Sequence, residues 1–79
     1  MVTVFRAHGL RFIIFVDDHV PAHVHVFGDG HLKVNLVGIN RAPEIMTIEG
    51  MKRGDVRRAM QIITEQQAFL LSRWSEIHG

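Results

Sequence analysis

The sequence predicts an α+β domain: an antiparallel sheet of four or five strands, formed as two consecutive hairpins, with a long C-terminal helix packed on one face. Three observations predict it. The first half holds runs of β-branched and aromatic residues separated by glycine-containing turns. From about residue 53 to 78 the apolar residues recur at three- and four-residue spacing. No repeat, low-complexity tract or linker divides the 79 residues, so they form a single domain over 1–79.

Val2 to Ala7 and Leu10 to Val16 read as strands joined by a two-residue His8-Gly9 turn, with glycine supplying a positive φ. That turn sets Phe5 against Phe12, Ala7 against Leu10 and Thr3 against Ile14 on one face. It sets Arg6 against Arg11, Val4 against Ile13 and Val2 against Phe15 on the other. Both faces are largely apolar, which predicts cover on both sides or a dimer contact. His23 to Phe27 and His31 to Leu36 flank Gly28-Asp29-Gly30, and a three-residue loop with Gly30 in the left-handed conformation would close the second hairpin. Val26 then faces Leu32 and Val24 faces Val34, while His25 faces Lys33, His23 faces Asn35 and Phe27 faces His31. A two-residue loop would set His25 against Val34 and scramble the faces. The expected result is a polar face carrying His23, His25, His31, Lys33 and Asn35, whose histidines need not be buried.

After Gly38, residues Ile39 to Ala42 read as a loop, and Pro43 to Gly50 as a short edge strand with proline at its start, where a missing donor is tolerated. The helix from about Arg53 to His78 presents Val56, Met60, Ile63, Leu70, Trp74 and Ile77, with Ala59 and the stem of Gln67, on one stripe. Gly79 fits a helix stop, and Asp55 suits the positive end of the dipole. Such a helix would be about 38 Å long against about 25–30 Å for so small a domain, so it either breaks or projects. Ile62, Phe69 and Leu71 lie off the stripe and widen the apolar surface. They serve either a broad core or a partner surface that also includes the exposed Arg57 and Arg58.

Composition bounds the function. Hydrophobic residues make up 47% and charged residues 22%, as in folded globular proteins. A chain of this size buries only about 60–65% of its unfolded surface, so association with a partner or a second copy is expected. With no cysteine, any metal must use imidazole and carboxylate ligands. There is no secretion signal and no membrane-length apolar run, which predicts a cytoplasmic protein without membrane contact. The formal net charge of +1 gives little nonspecific attraction to phosphate backbones. RNA or DNA contact would rest on local basic groups such as Lys52, Arg53, Arg57 and Arg58.

The chemistry concentrates in Asp17-Asp18-His19-Val20-Pro21-Ala22-His23-Val24-His25-Val26. His23 and His25 occupy alternate strand positions and project to one side, and a loop residue such as His19 can fold over them. Asp17 or Asp18 would complete a divalent-metal site, although no HxxxH element on the helix supports one. The same residues also suit metal-independent RNA cleavage. In that reading two of His19, His23 and His25 transfer protons while Lys33 or Arg11 stabilises the phosphorane. A third reading is a solvated polar face. No motif requires a cofactor, and no Walker loop, GxGxxG or serine-centred elbow is present.

Together with Leu10-Arg11-Phe12-Ile13-Ile14-Phe15-Val16 and Leu70-Leu71-Ser72-Arg73-Trp74-Ser75-Glu76-Ile77-His78-Gly79, this segment resembles domain-of-unknown-function family 4160. These small bacterial proteins carry an RFxF-type strand, a DHxPPHVHV-type segment and a C-terminal helix ending in Trp and Gly. The resemblance covers nearly the whole chain. It departs at Ala22, where members more often have a second proline. It implies a setting and no particular reaction: members are encoded beside another small protein in arrangements resembling toxin–antitoxin pairs. The expected function is therefore one component of such a pair, binding a cognate protein through the histidine hairpin. An RNA-cleaving enzyme and a metal-binding regulatory module are the alternatives.

Overall fold

A computed structural model describes residues 2–38 and 40–78. The expected helix stop at Gly79 and the loop position Ile39 lie outside them. Strands β1 (Val2–Ala7), β2 (Leu10–Ile14), β3 (His23–Phe27), β4 (His31–Asn35) and β5 (Glu44–Glu49) form one antiparallel meander in sequence order, followed by helices α1 (Arg53–Glu65) and α2 (Gln67–His78).

The first hairpin closes through His8 and Gly9 at φ 53° and 77°. Both central residues are thus left-handed, as a type I′ turn requires. Ala7, Arg6 and Phe5 pair with Leu10, Arg11 and Phe12 as expected, and the two phenylalanine rings stack at 4.4 Å. Beyond Phe5 the register shifts, so that Thr3 faces Ile13 and Val2 faces Ile14. This corrects the pairs expected for Val2, Thr3 and Val4. One extra residue on the outer strand makes a bulge, and bulges are common at sheet edges, where they increase the local twist.

The β3–β4 register agrees with expectation at all five pairs. Gly30, however, is not in the left-handed region. It is glycine for another reason: a Cβ there would overlap the Gly50 carbonyl carbon, the Glu49 oxygen and the Met51 nitrogen. The backbone of β5 and its exit turn passes directly over it. Strand β5 pairs with β4 from His31–Glu49 to Asn35–Glu44, with a bulge beside Met46, and lies at the sheet edge next to Pro43 as expected.

The expected single helix is two. Gln66 breaks it at φ −106°, ψ 16°, just after Thr64 donates its hydroxyl to the Met60 carbonyl. Such back-bonding bends helices. The physical need is size, because a straight helix over 53–78 would reach about 39 Å, whereas the longest extent of the molecule is 33 Å. Broken, the pair buries Ala59, Ile63, Leu70 and Trp74 on one sheet face against Phe12, Ile14, Val24, Val26, Leu32, Val34 and Leu36. None of the described helices is long and apolar enough to cross a membrane.

Gln67, expected to contribute only its aliphatic stem, is buried and uses its amide. Its Nε2 donates to the carbonyls of Leu36, Gly38 and Arg41 at 2.7, 2.8 and 2.7 Å. Two hydrogens serve three acceptors, so at least one bond is shared. This clamp holds the β4–β5 connection, where Val37 sits at φ 57°, a conformation a β-branched side chain resists.

Candidate metal centre

His23 and His25 project to the same side of β3 because they are two residues apart on a strand. Asp18 reaches them from a tight turn after β2, in which its backbone N–H donates to the Phe15 carbonyl at 3.1 Å and its Oδ2 accepts from the Phe15 N–H at 3.2 Å. A short aspartate side chain that closes its own turn in this way is locally ordered. The result is that Asp18 Oδ2 lies 3.2 Å from His23 Nε2 and 3.3 Å from His25 Nε2, with all three atoms within 4.8 Å of one another.

Proton positions follow from the other ring nitrogens. His23 Nδ1 donates to the Pro21 carbonyl at 2.8 Å. His31 Nδ1 donates to Glu49 Oε1 at 3.1 Å, so with His31 neutral its Nε2 accepts from His25 Nδ1 at 2.9 Å. Each neutral imidazole carries one hydrogen. In the neutral rings both are therefore spent on Nδ1, which leaves both Nε2 atoms bare beside a carboxylate oxygen. These contacts are not hydrogen bonds between neutral rings and the carboxylate, and both Nε2 atoms are buried without a hydrogen-bond partner. Two ligand atoms each about 2.0–2.1 Å from a tetrahedral ion lie about 3.3–3.4 Å apart; the two contacts to Asp18 Oδ2 are close to this at 3.2 and 3.3 Å, while the set of three spans up to 4.8 Å. Two imidazole nitrogens and a carboxylate oxygen thus converge, all within 4.8 Å of one another.

The expected polar face is corrected at His23, while His25, His31, Lys33 and Asn35 are partly exposed. His23 is only 4% exposed. Trp74 lies 5.2 Å from its ring, and Phe15 meets His25 edge-on at 4.7 Å. Phe15 in the turn after β2 and Trp74 near the end of α2 thus lie against the two imidazoles, and Ile13, opposite His25, is also buried. His78 fastens the cover: it stacks on Trp74 at 3.8 Å, with Nδ1 facing the Trp74 carbonyl at 3.0 Å and Nε2 facing that of Phe15 at 3.2 Å.

Burial pushes the His25 imidazole below its ordinary 6.5, against the opposing pull of Asp18 and with help from His23, His31 and Lys33. Repulsion among the basic groups is thus secondary to desolvation. The shift favours the neutral ring. Its folded value lies below its unfolded one, so its contribution to the stability of the metal-free chain is complete above the unfolded value. It declines as the pH falls from there through the folded value. Histidine NMR titration with urea melts between about pH 8 and 5 checks this; a His25 titrating above the ordinary value contradicts it.

Of the other candidates, His19 and Asp17 are exposed, and neither is among the converging ligands. Lys33 pairs with His25 on the adjacent strand. Arg57 and Arg58 are exposed, with Arg58 3.9 Å from Asp55; Ile62 packs at the core margin, and Phe69, 44% exposed, tilts against Phe5 at 6.2 Å. Sequence reasoning missed Glu49, Phe15 and Trp74 as parts of the site. The His31–Glu49 neighbourhood needed the bulged β4–β5 register, which no local signal supplies.

The family described as domain of unknown function (DUF4160) matches residues 9–75. No curated protein and no solved structure matches the chain.

Proposed function

The chain belongs to the DUF4160 family, and we propose that within it this chain is a small divalent-metal-binding module whose ligands are Asp18 Oδ2, His23 Nε2 and His25 Nε2. The observation that supports this is the pair of buried, unpartnered Nε2 atoms beside one carboxylate oxygen. Without an ion this arrangement is unfavourable, since buried polar atoms normally find partners. A divalent cation would satisfy all three atoms at once if the set, which spans up to 4.8 Å, draws in around it. Imidazole and carboxylate donors suit zinc and neighbouring first-row ions. The Asp18 side chain is the more exposed, at 19% against 5% and 12% for the two histidines. An ion held by these residues would therefore be open to solvent, or to a side chain of a partner protein, on the Asp18 side.

The toxin–antitoxin-like setting implied by the family resemblance fits such a module as the metal-bearing half of a protein pair. A second observation favours protein contact: β5 is an edge strand with Ile45, Met46 and Ile48 between 43% and 50% exposed. Edge strands with apolar side chains pair readily with another chain. A cognate small protein is the proposed occupant, and a second copy of this chain is the alternative outcome.

Titrating the tag-free, metal-free chain with Zn²⁺ in a calorimeter, and with Co²⁺ by visible absorption, tests the metal reading. One ion per chain is expected, reversed by chelator, with zinc at a hundredfold excess over its dissociation constant adding about 2.7 kcal/mol of stability. No heat and no change in melting temperature at millimolar zinc would reject it. Cleavage of RNA by the chain in the presence of chelator would favour the histidine-dependent ribonuclease instead. That chemistry needs the imidazole nitrogens to reach the substrate, whereas His23 Nε2 and His25 Nε2 are both buried.

A further inference from the structure

The geometry points to His31 and Glu49 as a positioning pair that fixes which nitrogen of His25 carries the proton. Its purpose rests on the metal reading; its evidence does not. The His25 and His31 rings lie within 10° of one plane, with centroids 5.2 Å apart and Nδ1 and Nε2 separated by 2.9 Å. That is an in-plane hydrogen bond. Glu49 can only accept, so the His31 proton sits on Nδ1 and the lone pair on Nε2 faces His25. Phe27 stacks on His31 at 4.7 Å and 19°, which holds the ring in this plane.

Asp18 opposes the arrangement. Its Oδ2, 3.3 Å from His25 Nε2, would by itself draw the His25 proton to that nitrogen. The ring would then donate to the carboxylate and have no lone pair left in the cluster. The acceptor on His31 offsets this pull and keeps Nε2 bare. Glu49, whose side chain is 69% exposed, thereby connects the edge strand to the buried centre through two imidazoles. Partners of this kind behind ligating histidines typically account for 10–100-fold in metal affinity.

The test is long-range ¹H–¹⁵N NMR of the metal-free full chain at about pH 8, above the ordinary histidine range. The wild type is expected to show His25 protonated on Nδ1. His31→Phe keeps an aromatic ring on Phe27 but removes the acceptor, and should switch His25 to the Nε2-protonated form. His31→Gln, which restores a carbonyl acceptor, should bring the wild-type pattern back. Glu49→Leu, at an exposed position, should give a mixture of the two forms and serves if His31→Phe does not fold. Zn²⁺ affinity is expected to fall about 10–100-fold in His31→Phe and to recover in His31→Gln. An unchanged His25 tautomer in both His31→Phe and Glu49→Leu would overturn the inference even if zinc binds. A tautomer switch in a chain that binds no zinc would uphold the pair and reject the metal reading.

Discussion

Gly30→Ala is expected to lower the melting temperature by about 10–25 °C, the largest loss of stability for the smallest change in side chain. The added methyl would overlap the Gly50 carbonyl carbon, the Glu49 oxygen and the Met51 nitrogen, all backbone atoms. A side chain could swing aside, but backbone cannot without opening the β4–β5 ladder at His31–Glu49. Overpacking of this kind costs typically 1–3 kcal/mol and more where nothing yields, so about 3 kcal/mol is expected. A domain of this size has about 4–12 kcal/mol in total, and each kilocalorie corresponds to about 4–8 °C. Gly54→Ala is the control. It lies in α1 with open space around it, and should stabilise by about 0.5–1 kcal/mol through helix propensity alone. Thermal melts of both variants decide the matter; equal effects would mean that the approach over Gly30 is loose.

Asp18→Asn should abolish metal binding and yet stabilise the metal-free chain. In the wild type, the carboxylate lies beside two bare Nε2 atoms and, among the described residues, accepts only from the Phe15 N–H through the same oxygen. Asparagine can turn its NH₂ toward His23 and His25 and donate to both Nε2 atoms, gaining two hydrogen bonds and giving up one. At about 0.5–1.5 kcal/mol net for each bond, the balance is about 1 kcal/mol in favour of the variant. Zinc affinity should fall by more than about 100-fold, beyond the 10–100-fold of an outer partner, because a ligand itself is lost. The alternative is a buried ion pair between Asp18 and an imidazolium. Removing one partner of such a pair costs about 3–5 kcal/mol. The two readings thus differ in sign, and a urea melt of the metal-free variant separates them.

The structure also revises what replacing a histidine does. On an open polar face, His23→Gln would cost only about 0.5 kcal/mol. His23 is instead buried against Trp74, with Nδ1 donating to the Pro21 carbonyl, so its replacement removes a packed ring and a satisfied donor together. His19, which is exposed, keeps the small cost.

Local rules were enough for much of this molecule. Alternation along His23–Phe27 and His31–Asn35, together with the loop length between them, set every pair of the central hairpin, because a slip of one residue would turn Val24 and Val26 out of the core. The same alternation placed His23 and His25 side by side. The apolar stripe from Val56 to Ile77 identified the helical half and the residues it buries. What remained depended on distances between segments far apart in the chain. The helix breaks at Gln66, and a straight one of about 39 Å would exceed the 33 Å longest extent of the molecule. Gln67 is a clamp only because the loop after Leu36 returns to it. Gly30 is glycine because of a strand beginning fourteen positions later, not because of its own φ. Asp18 was one of two equivalent carboxylates until the turn after β2 selected it. The bare Nε2 of His25 depends on Glu49, which meets His31 only through the bulged edge strand. Residue type and periodicity determine which groups are available and which face they take. Tertiary structure decided which nitrogen holds the proton, because that depends on hydrogen-bond partners that folding alone brings within 3 Å or so of one another.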